Sequence, residues 1–123
     1  MPALQEFARS ANLPLSIVQA ADLCLEEHLT NVIQYGLDDG GQHEIGVRFA
    51  LEQNVFVVEV KDNGRAFDPL QRPEVNTAVP LEEKPVGGLG IHLMRRFMDE
   101  LAYRRESGRN VLTMRKCLPT PSA

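Results

Sequence analysis

The chain of 123 residues has the length of one domain with a hydrophobic core. Its hydrophobic fraction of 43% and charged fraction of 24% are ordinary for a globular protein, and a net charge of −4 without a basic run argues against a nucleic-acid partner. No apolar run reaches membrane-spanning length and no signal pattern stands at the start, so we expect no membrane partner and a cytoplasmic location. Cys24 and Cys117 lack metal-ligand spacing and predict isolated thiols.

The first third of the sequence predicts two helices. A short helix spans Leu4 to Ala11, and the Asn-Leu-Pro sequence after it interrupts the helix, because a residue before proline avoids the helical region. Apolar residues then recur at helical spacing and predict one long helix from about Leu15 to Tyr35. His28 lies on the apolar face of that helix, where a packed histidine is favoured over a catalytic one.

The middle of the chain predicts an antiparallel hairpin. Residues 45–52 alternate apolar and polar, which indicates a half-buried strand. Residues 55–61 are more apolar and therefore form a more central strand. A Gln-Asn dipeptide joins the two strands. The second strand delivers Asp62 to a strand end, directly before an Asn-Gly dipeptide.

The last third predicts a loop, a helix and a second hairpin. Residues 69–86 contain four prolines and match neither period, and so long a loop in a compact domain is typical of a functional lid or of disorder. A glycine-rich cluster at 87–90 opens a helix that ends near Asp99. Strands at 101–104 and 111–116 flank a Ser-Gly turn.

The order of these elements predicts the fold class. It is an α/β (α+β) two-layer sandwich, with helices packed on one face of a mixed, mostly antiparallel sheet. One domain is expected over residues 1–117, and residues 118–123 are expected to form a disordered tail.

Three segments combine residue types that suit a nucleotide pocket. They are Glu27-x-x-x-Asn31 on the long helix, Asp62-Asn63-Gly64 with Phe67 after a strand, and Gly87-Gly88-Leu89-Gly90 at a helix start. Each alone also fits an ordinary role as a solvated helix face, a turn or a flexible loop end. Together, around a loop of lid size, they favour a pocket for an adenine nucleotide.

The side chains have distinct chemical roles in such a pocket. Asp62 accepts a hydrogen bond from an exocyclic amine, which favours adenine, because guanine has an acceptor there. Gly64 lets the backbone approach the ring, and Phe67 either lines the pocket or belongs to the core. Asn31 offers Mg²⁺ a neutral oxygen ligand. Glu27, one turn away, is placed to take a proton from an attacking hydroxyl or water.

The glycines at 87, 88 and 90 free backbone N–H groups at a helix N-terminus, where phosphates are favoured. The combined pattern is neither a P-loop nor a Rossmann fingerprint. It resembles the histidine-kinase-like ATPase (GHKL) superfamily, whose Bergerat ATP-binding fold it implies. Within that superfamily it is most similar to the anti-sigma-factor serine/threonine kinases. Residues 25–33 (LEEHLTNVI) resemble the N box, residues 60–69 (VKDNGRAFDP) the first glycine box and residues 87–94 (GGLGIHLM) the second.

The resemblance covers roughly residues 3–117 and implies a role for each matching position. Glu27 would be the general base, Asn31 the Mg²⁺ ligand, Asp62 the adenine-reading aspartate, Gly64 the glycine beside the ring, and Gly88, Leu89 and Gly90 the phosphate side. Residues from about 71 to 86 would form the ATP lid. Lys84 is a candidate lid cation, although a solvated lysine is the favoured interpretation.

The resemblance implies an ATP- and Mg²⁺-dependent kinase that phosphorylates an anti-anti-sigma partner and sequesters a sigma factor. Two alternatives stay open: a non-catalytic nucleotide-binding interaction module, and the detached ATP-binding domain of a sensor histidine kinase. Family members usually begin with a strand, which is expected here to be missing or supplied by a partner, and an exposed sheet edge would favour a homodimer. Tyr35 stands where many relatives have histidine.

Overall fold

The computed structural model describes residues 2–35, 43–71 and 88–119. Its elements follow one another in the predicted order. They are α1 (Pro2–Ala11), α2 (Leu15–Tyr35), β1 (Ile45–Glu52), β2 (Val55–Asp62), a 3₁₀ turn (Pro69–Gln71), α3 (Gly88–Phe97), β3 (Glu100–Glu106) and β4 (Arg109–Cys117). Most of the predicted lid, with Lys84, and residues 120–123 of the predicted tail lie outside the described residues.

The described strands form one four-stranded sheet in the order β1-β2-β4-β3. All three pairings are antiparallel, and both predicted hairpins are present. The predicted two-layer α/β class is confirmed, since one face of the sheet carries the helices. In the register of the two central strands, Asp62 at the end of β2 stands opposite Asn110 near the start of β4.

The core lies between the helices and that face of the sheet. It contains side chains from all three helices and from β2 and β4: Leu4, Ala8, Ile17, Val18, Ala21, Cys24, Leu25, Phe56, Val58, Val60, Met94, Met98, Leu112 and Met114. Phe7 of α1 joins Phe49 of β1 and Phe56 of β2, with ring centroids 5.8 Å from each. This aromatic cluster attaches α1 to the sheet.

A tight corner between α1 and α2 sets the start of the long helix. Asn12 takes a left-handed conformation with φ 56°, and the N–H of Leu13 reaches back to the carbonyl of Ala8 at 2.9 Å. The N–H of Asn12 bonds the carbonyl of Arg9, which completes a Schellman cap. The carbonyl of Pro14 then accepts from the N–H groups of Ile17 and Val18 in the first turn of α2. The corner therefore ends α1 and begins α2 within three residues.

Leu118, which the sequence assigns to the tail, is attached to the domain. Its N–H donates to the carbonyl of Asn54 at 2.9 Å, and the side chain of Asn54 donates to the carbonyl of Leu118 at 3.1 Å. Its side chain also packs against the core. The connection fastens the end of β4 to the turn of the first hairpin.

Candidate functional site

Asp62 is the buried carboxylate at the end of β2, with only 3% of its surface exposed. The N–H of Gly64 and the side-chain amide of Asn110 both donate to its Oδ1 at 3.0 Å. Among the described residues, both hydrogen bonds to this carboxylate end on that one oxygen. The orientation of the carboxylate is therefore fixed, and Oδ2 is the oxygen left for a ligand.

Asn110 is a residue of the candidate site that the sequence pattern did not indicate. Its amide nitrogen also donates to the carbonyl of Arg65 at 2.7 Å, and its Oδ1 accepts from the N–H of Phe67 at 3.1 Å and from the hydroxyl of Tyr103 at 2.5 Å. Burial raises the pKa of the Tyr103 phenol, which stays a donor at neutral pH. Asn110 thus holds Asp62 and the turn that follows it in one arrangement.

The only sequence signal for Asn110 is weak. It is a polar residue on the same face of β4 as Leu112 and Met114 of the core. A buried asparagine at such a position needs partners, but the sequence alone does not say which.

Asn31 lies on the buried face of α2 with 1% of its surface exposed. Neither its Oδ1 nor its Nδ2 has a hydrogen-bond partner within the described part of the chain. An unpaired buried amide costs about 1–3 kcal/mol, so a folded protein rarely retains one without a reason. The carboxamide oxygen suits Mg²⁺ or a hydroxyl donor, and the amide nitrogen suits a phosphate oxygen. The chemistry of the Asn31 side chain is therefore compatible with the predicted role of this residue as a ligand of Mg²⁺ bound to phosphates.

His28 lies one helical turn before Asn31 on the same face of α2 and is 3% exposed. Burial lowers the pKa of its imidazole to about 4, although the nearby charge of Asp62 acts in the opposite direction. The ring is therefore neutral at physiological pH. It is packed, as the sequence analysis favours, and it brings α2 and the end of β2 into one polar cluster.

Glu27 is half-buried on α2, beside that cluster. Burial of the neighbouring Cys24 thiol, together with the smaller effect of the Glu27 charge, raises the pKa of that thiol to about 11. Cys24 is therefore a protonated, unreactive core thiol. The general-base role of Glu27 stays a prediction.

The third predicted segment lies at the start of α3. The backbone of Gly88, Leu89 and Gly90 forms the first turn of that helix, as the sequence predicts. The Sγ of Cys24 lies 3.9 Å from the carbonyl oxygen of Leu93, so α3 packs directly against α2. The structure thus places α2 beside both the end of β2 and the helix with the glycine-rich start.

No group of three or more His, Cys, Asp or Glu side chains within residues 2–35, 43–71 and 88–119 could hold a metal ion. Mg²⁺ commonly keeps several waters and uses one or two protein ligands together with substrate phosphates. A Mg²⁺ ion with Asn31 as its single protein ligand would be consistent with this mode of coordination. None of the helices in these ranges is long and apolar enough to span a membrane.

Residues 1–116 match the family model described as histidine kinase-like ATPase domain. The chain belongs to that family. Solved structures agree on the fold: a blue-light activated histidine kinase of Erythrobacter litoralis superposes with a TM-score of 0.62 over 86% of this chain and 32% of that chain, at 19% identity. Histidine kinase AdeS of Acinetobacter baumannii gives 0.54 over 84% of this chain and 48% of that chain, at 13% identity.

Curated relatives are more similar in sequence. Serine/threonine-protein kinase BtrW of Bordetella bronchiseptica is 34% identical over 75% of this chain and 65% of its own length. Serine-protein kinase RsbW of Bacillus pumilus is 31% identical over 74% of this chain and 60% of its own length. The chain thus spans less than two thirds of either relative.

Proposed function

We propose that the chain binds ATP with Mg²⁺ and transfers the γ-phosphoryl group to a serine or threonine of a protein partner. The observation that carries the proposal is the buried carboxamide of Asn31, with both polar atoms unpartnered within the described residues. Sequence similarity to two proteins named serine kinases supports this chemistry.

Each site residue then has one task. Asp62 accepts a hydrogen bond from the 6-amino group of adenine, and Gly64 and Phe67 lie in the turn beside the base. Asn31 ligates Mg²⁺, and the backbone of Gly88–Gly90 faces the phosphates. When bound, ATP supplies the phosphoryl group and Mg²⁺ neutralises its charge.

A carboxylate oxygen of Glu27 takes the proton from the hydroxyl group of the acceptor serine or threonine. Such a base typically contributes about 10²–10⁴-fold to the rate.

The proposed partners follow from the serine-kinase resemblance. They are an anti-anti-sigma-type protein as phosphate acceptor and a sigma factor as the sequestered protein, both met in the cytoplasm. The outer strands β1 and β3 each leave one edge unpaired among the described strands, which would suit a homodimer. Sedimentation velocity would reveal the dimer, and a monomer at high concentration would exclude it.

Asn31→Ala tests the nucleotide site. We expect ATP affinity in the presence of Mg²⁺ to fall at least about tenfold, because a charge-assisted contact is lost, while the fold persists. Isothermal titration with and without Mg²⁺ measures the ATP affinity, and a thermal melt shows that the variant is folded. Gln19→Ala is the matched control, since it removes an exposed carboxamide from the same helix. Equal affinity in the wild type and Asn31→Ala would remove Asn31 from the site.

Glu27→Gln tests the chemistry. The variant should bind ATP normally and lose about 10²-fold or more in transfer, because the amide cannot accept the hydroxyl proton. Incubation with labelled ATP and the co-purified partner measures the rate. Glu26→Gln, at the exposed neighbouring carboxylate, should keep full transfer.

The same assay separates the competing functions. Acid-labile phosphoprotein would indicate transfer to histidine. Bound ATP that stays intact with every candidate partner would indicate a non-catalytic interaction module.

A further inference from the structure

The buried face of α2 carries a second unsatisfied side chain that the proposed chemistry does not use. His28 is 3% exposed, and its Nδ1 has no hydrogen-bond partner among the residues that the structure describes. The charge of Asp62 reaches its ring, and Asn31 follows one turn further along the helix. Two neighbouring orphaned side chains on one helix face indicate a shared ligand.

Packing alone does not account for a histidine at this position. An unpaired buried nitrogen costs free energy that an apolar side chain would not. Leu25, on the same buried face, is 1% exposed and fills its space without that cost. The imidazole nitrogen therefore has a use in the liganded protein.

We propose that His28 is a base-contacting residue whose Nδ1–H donates a hydrogen bond to a ring nitrogen of adenine, N1 or N7, beside the 6-amino group. The inference rests on the proposed function, in which Asp62 accepts from that amino group. N1 is bonded to the amino-bearing carbon, N7 lies one atom further on its other side, and both are acceptors in adenine. A group that lies beside Asp62 meets one of them.

The chemistry of the residue matches that role. A neutral imidazole has one N–H donor, whereas an imidazolium in this cluster would require a buried charge. Guanine carries a hydrogen on N1, so a donor facing that position would also reject guanine. His28 and Asp62 together would then read two adjacent atoms of the base.

A cycle between residue and ligand atom tests the contact. Isothermal titration with Mg²⁺ compares ATP, 1-deaza-ATP and 7-deaza-ATP on the full chain and on His28→Leu. The wild type should bind one of the two analogues about tenfold more weakly than ATP. In His28→Leu, ATP itself should bind about tenfold more weakly, and the penalty for that analogue should disappear.

Two further variants separate recognition from packing. Leu25→Met changes buried packing on the same face without removing a polar atom, so it should keep the full deaza penalty. His28→Asn places a carboxamide near the position of Nδ1 and should restore part of the penalty. Thermal melts establish that each variant is folded. If His28→Leu does not fold, His28→Phe supplies the cycle, because it keeps a ring at this position and removes Nδ1.

The outcomes are distinguishable. Equal deaza penalties in the wild type and in His28→Leu, or no penalty in the wild type, would overturn the role of His28 while ATP binding stands. Absence of ATP binding by the wild type would overturn the proposed function and this inference together.

Discussion

Two buried asparagines illustrate how the same side chain serves different ends at the residue scale. Asn110 is 4% exposed and makes four hydrogen bonds, so its burial is compensated within the fold. Asn31 is 1% exposed and makes none among the described residues. The first amide positions the site, and the second is available to a ligand. Ligand binding would therefore relieve a cost that the free protein carries, and this relief is part of the binding free energy that stabilises the liganded protein.

Asn110→Ala should weaken ATP binding about tenfold, and the effect should act through Asp62. The substitution removes the donor that orients Asp62, and it removes the hydrogen bonds that Asn110 makes to the N–H of Phe67 and to the carbonyl of Arg65. The free energy of unfolding should fall by about 2 kcal/mol for the same reason. Isothermal titration and urea unfolding measure the two effects.

Tyr103→Phe is the graded control for that prediction. It removes the hydroxyl that donates to Asn110 but keeps the amide donor to Asp62. ATP affinity should stay within about twofold of the wild type, because the carboxylate keeps its orientation. If both variants weaken ATP equally, the hydrogen bond between Asn110 and Asp62 is not what positions the carboxylate.

The sequence predicted the elements on which the candidate site residues lie better than it predicted the surroundings of their side chains. The spacing of Glu27 and Asn31 and the placement of Asp62 at a strand end follow from local periodicity, which a single sequence contains. The partnership of Asp62 with Asn110 joins residues 48 apart, and it depends on the strand register. The orphaned nitrogen of His28 depends on what surrounds it in three dimensions, so no local pattern could indicate it.

At the scale of elements, turn chemistry explains why both hairpins were predictable. Gln53 and Asn54 have φ values of 50° and 70°, and Ser107 and Gly108 have 52° and 75°, as type I′ turns require. The strand ends were less predictable, because pairing extends β3 and β4 by one to two residues beyond the alternating pattern. Hydrogen bonding to a neighbour, not local sequence, decides where a strand ends.

A pair of glycine substitutions tests the turn of the second hairpin. Gly108→Ala should lower the free energy of unfolding by about 1 kcal/mol, because φ 75° strains a residue with a Cβ. The new methyl group meets nothing within 4 Å, so the cost comes from the backbone alone. Gly46→Ala in β1 also meets nothing within 4 Å and has no positive φ, so it should change stability by less than about 0.5 kcal/mol. Equal midpoints of urea unfolding for the two variants would contradict the turn assignment.

At the scale of the whole molecule, α2 connects the layers. Its buried face contacts the core, the end of β2 and α3, and it carries both orphaned side chains. Any event that changes the charge of this face acts on the stability of the entire domain. Through His28, pH can change the charge of this face. Burial lowers the pKa of its imidazole in the folded protein, whereas in the unfolded chain the imidazole has its usual pKa of 6.5.

The pH dependence of stability has a defined direction. Burial lowers the pKa of His28 from 6.5 to about 4, so between those values the unfolded chain binds a proton that the folded protein does not. The free energy of unfolding should therefore fall by about 3 kcal/mol from this group as the pH drops from about 6.5 to about 4, and the group should contribute no slope above that window. His28→Leu should lack this component. Urea unfolding of both proteins across the pH range measures the difference, which also cancels the titration of the other histidines and carboxylates. Parallel curves for the two proteins would show that the imidazole of His28 is not buried in the neutral form, and the hydrogen bond inferred for it would then lose its physical basis.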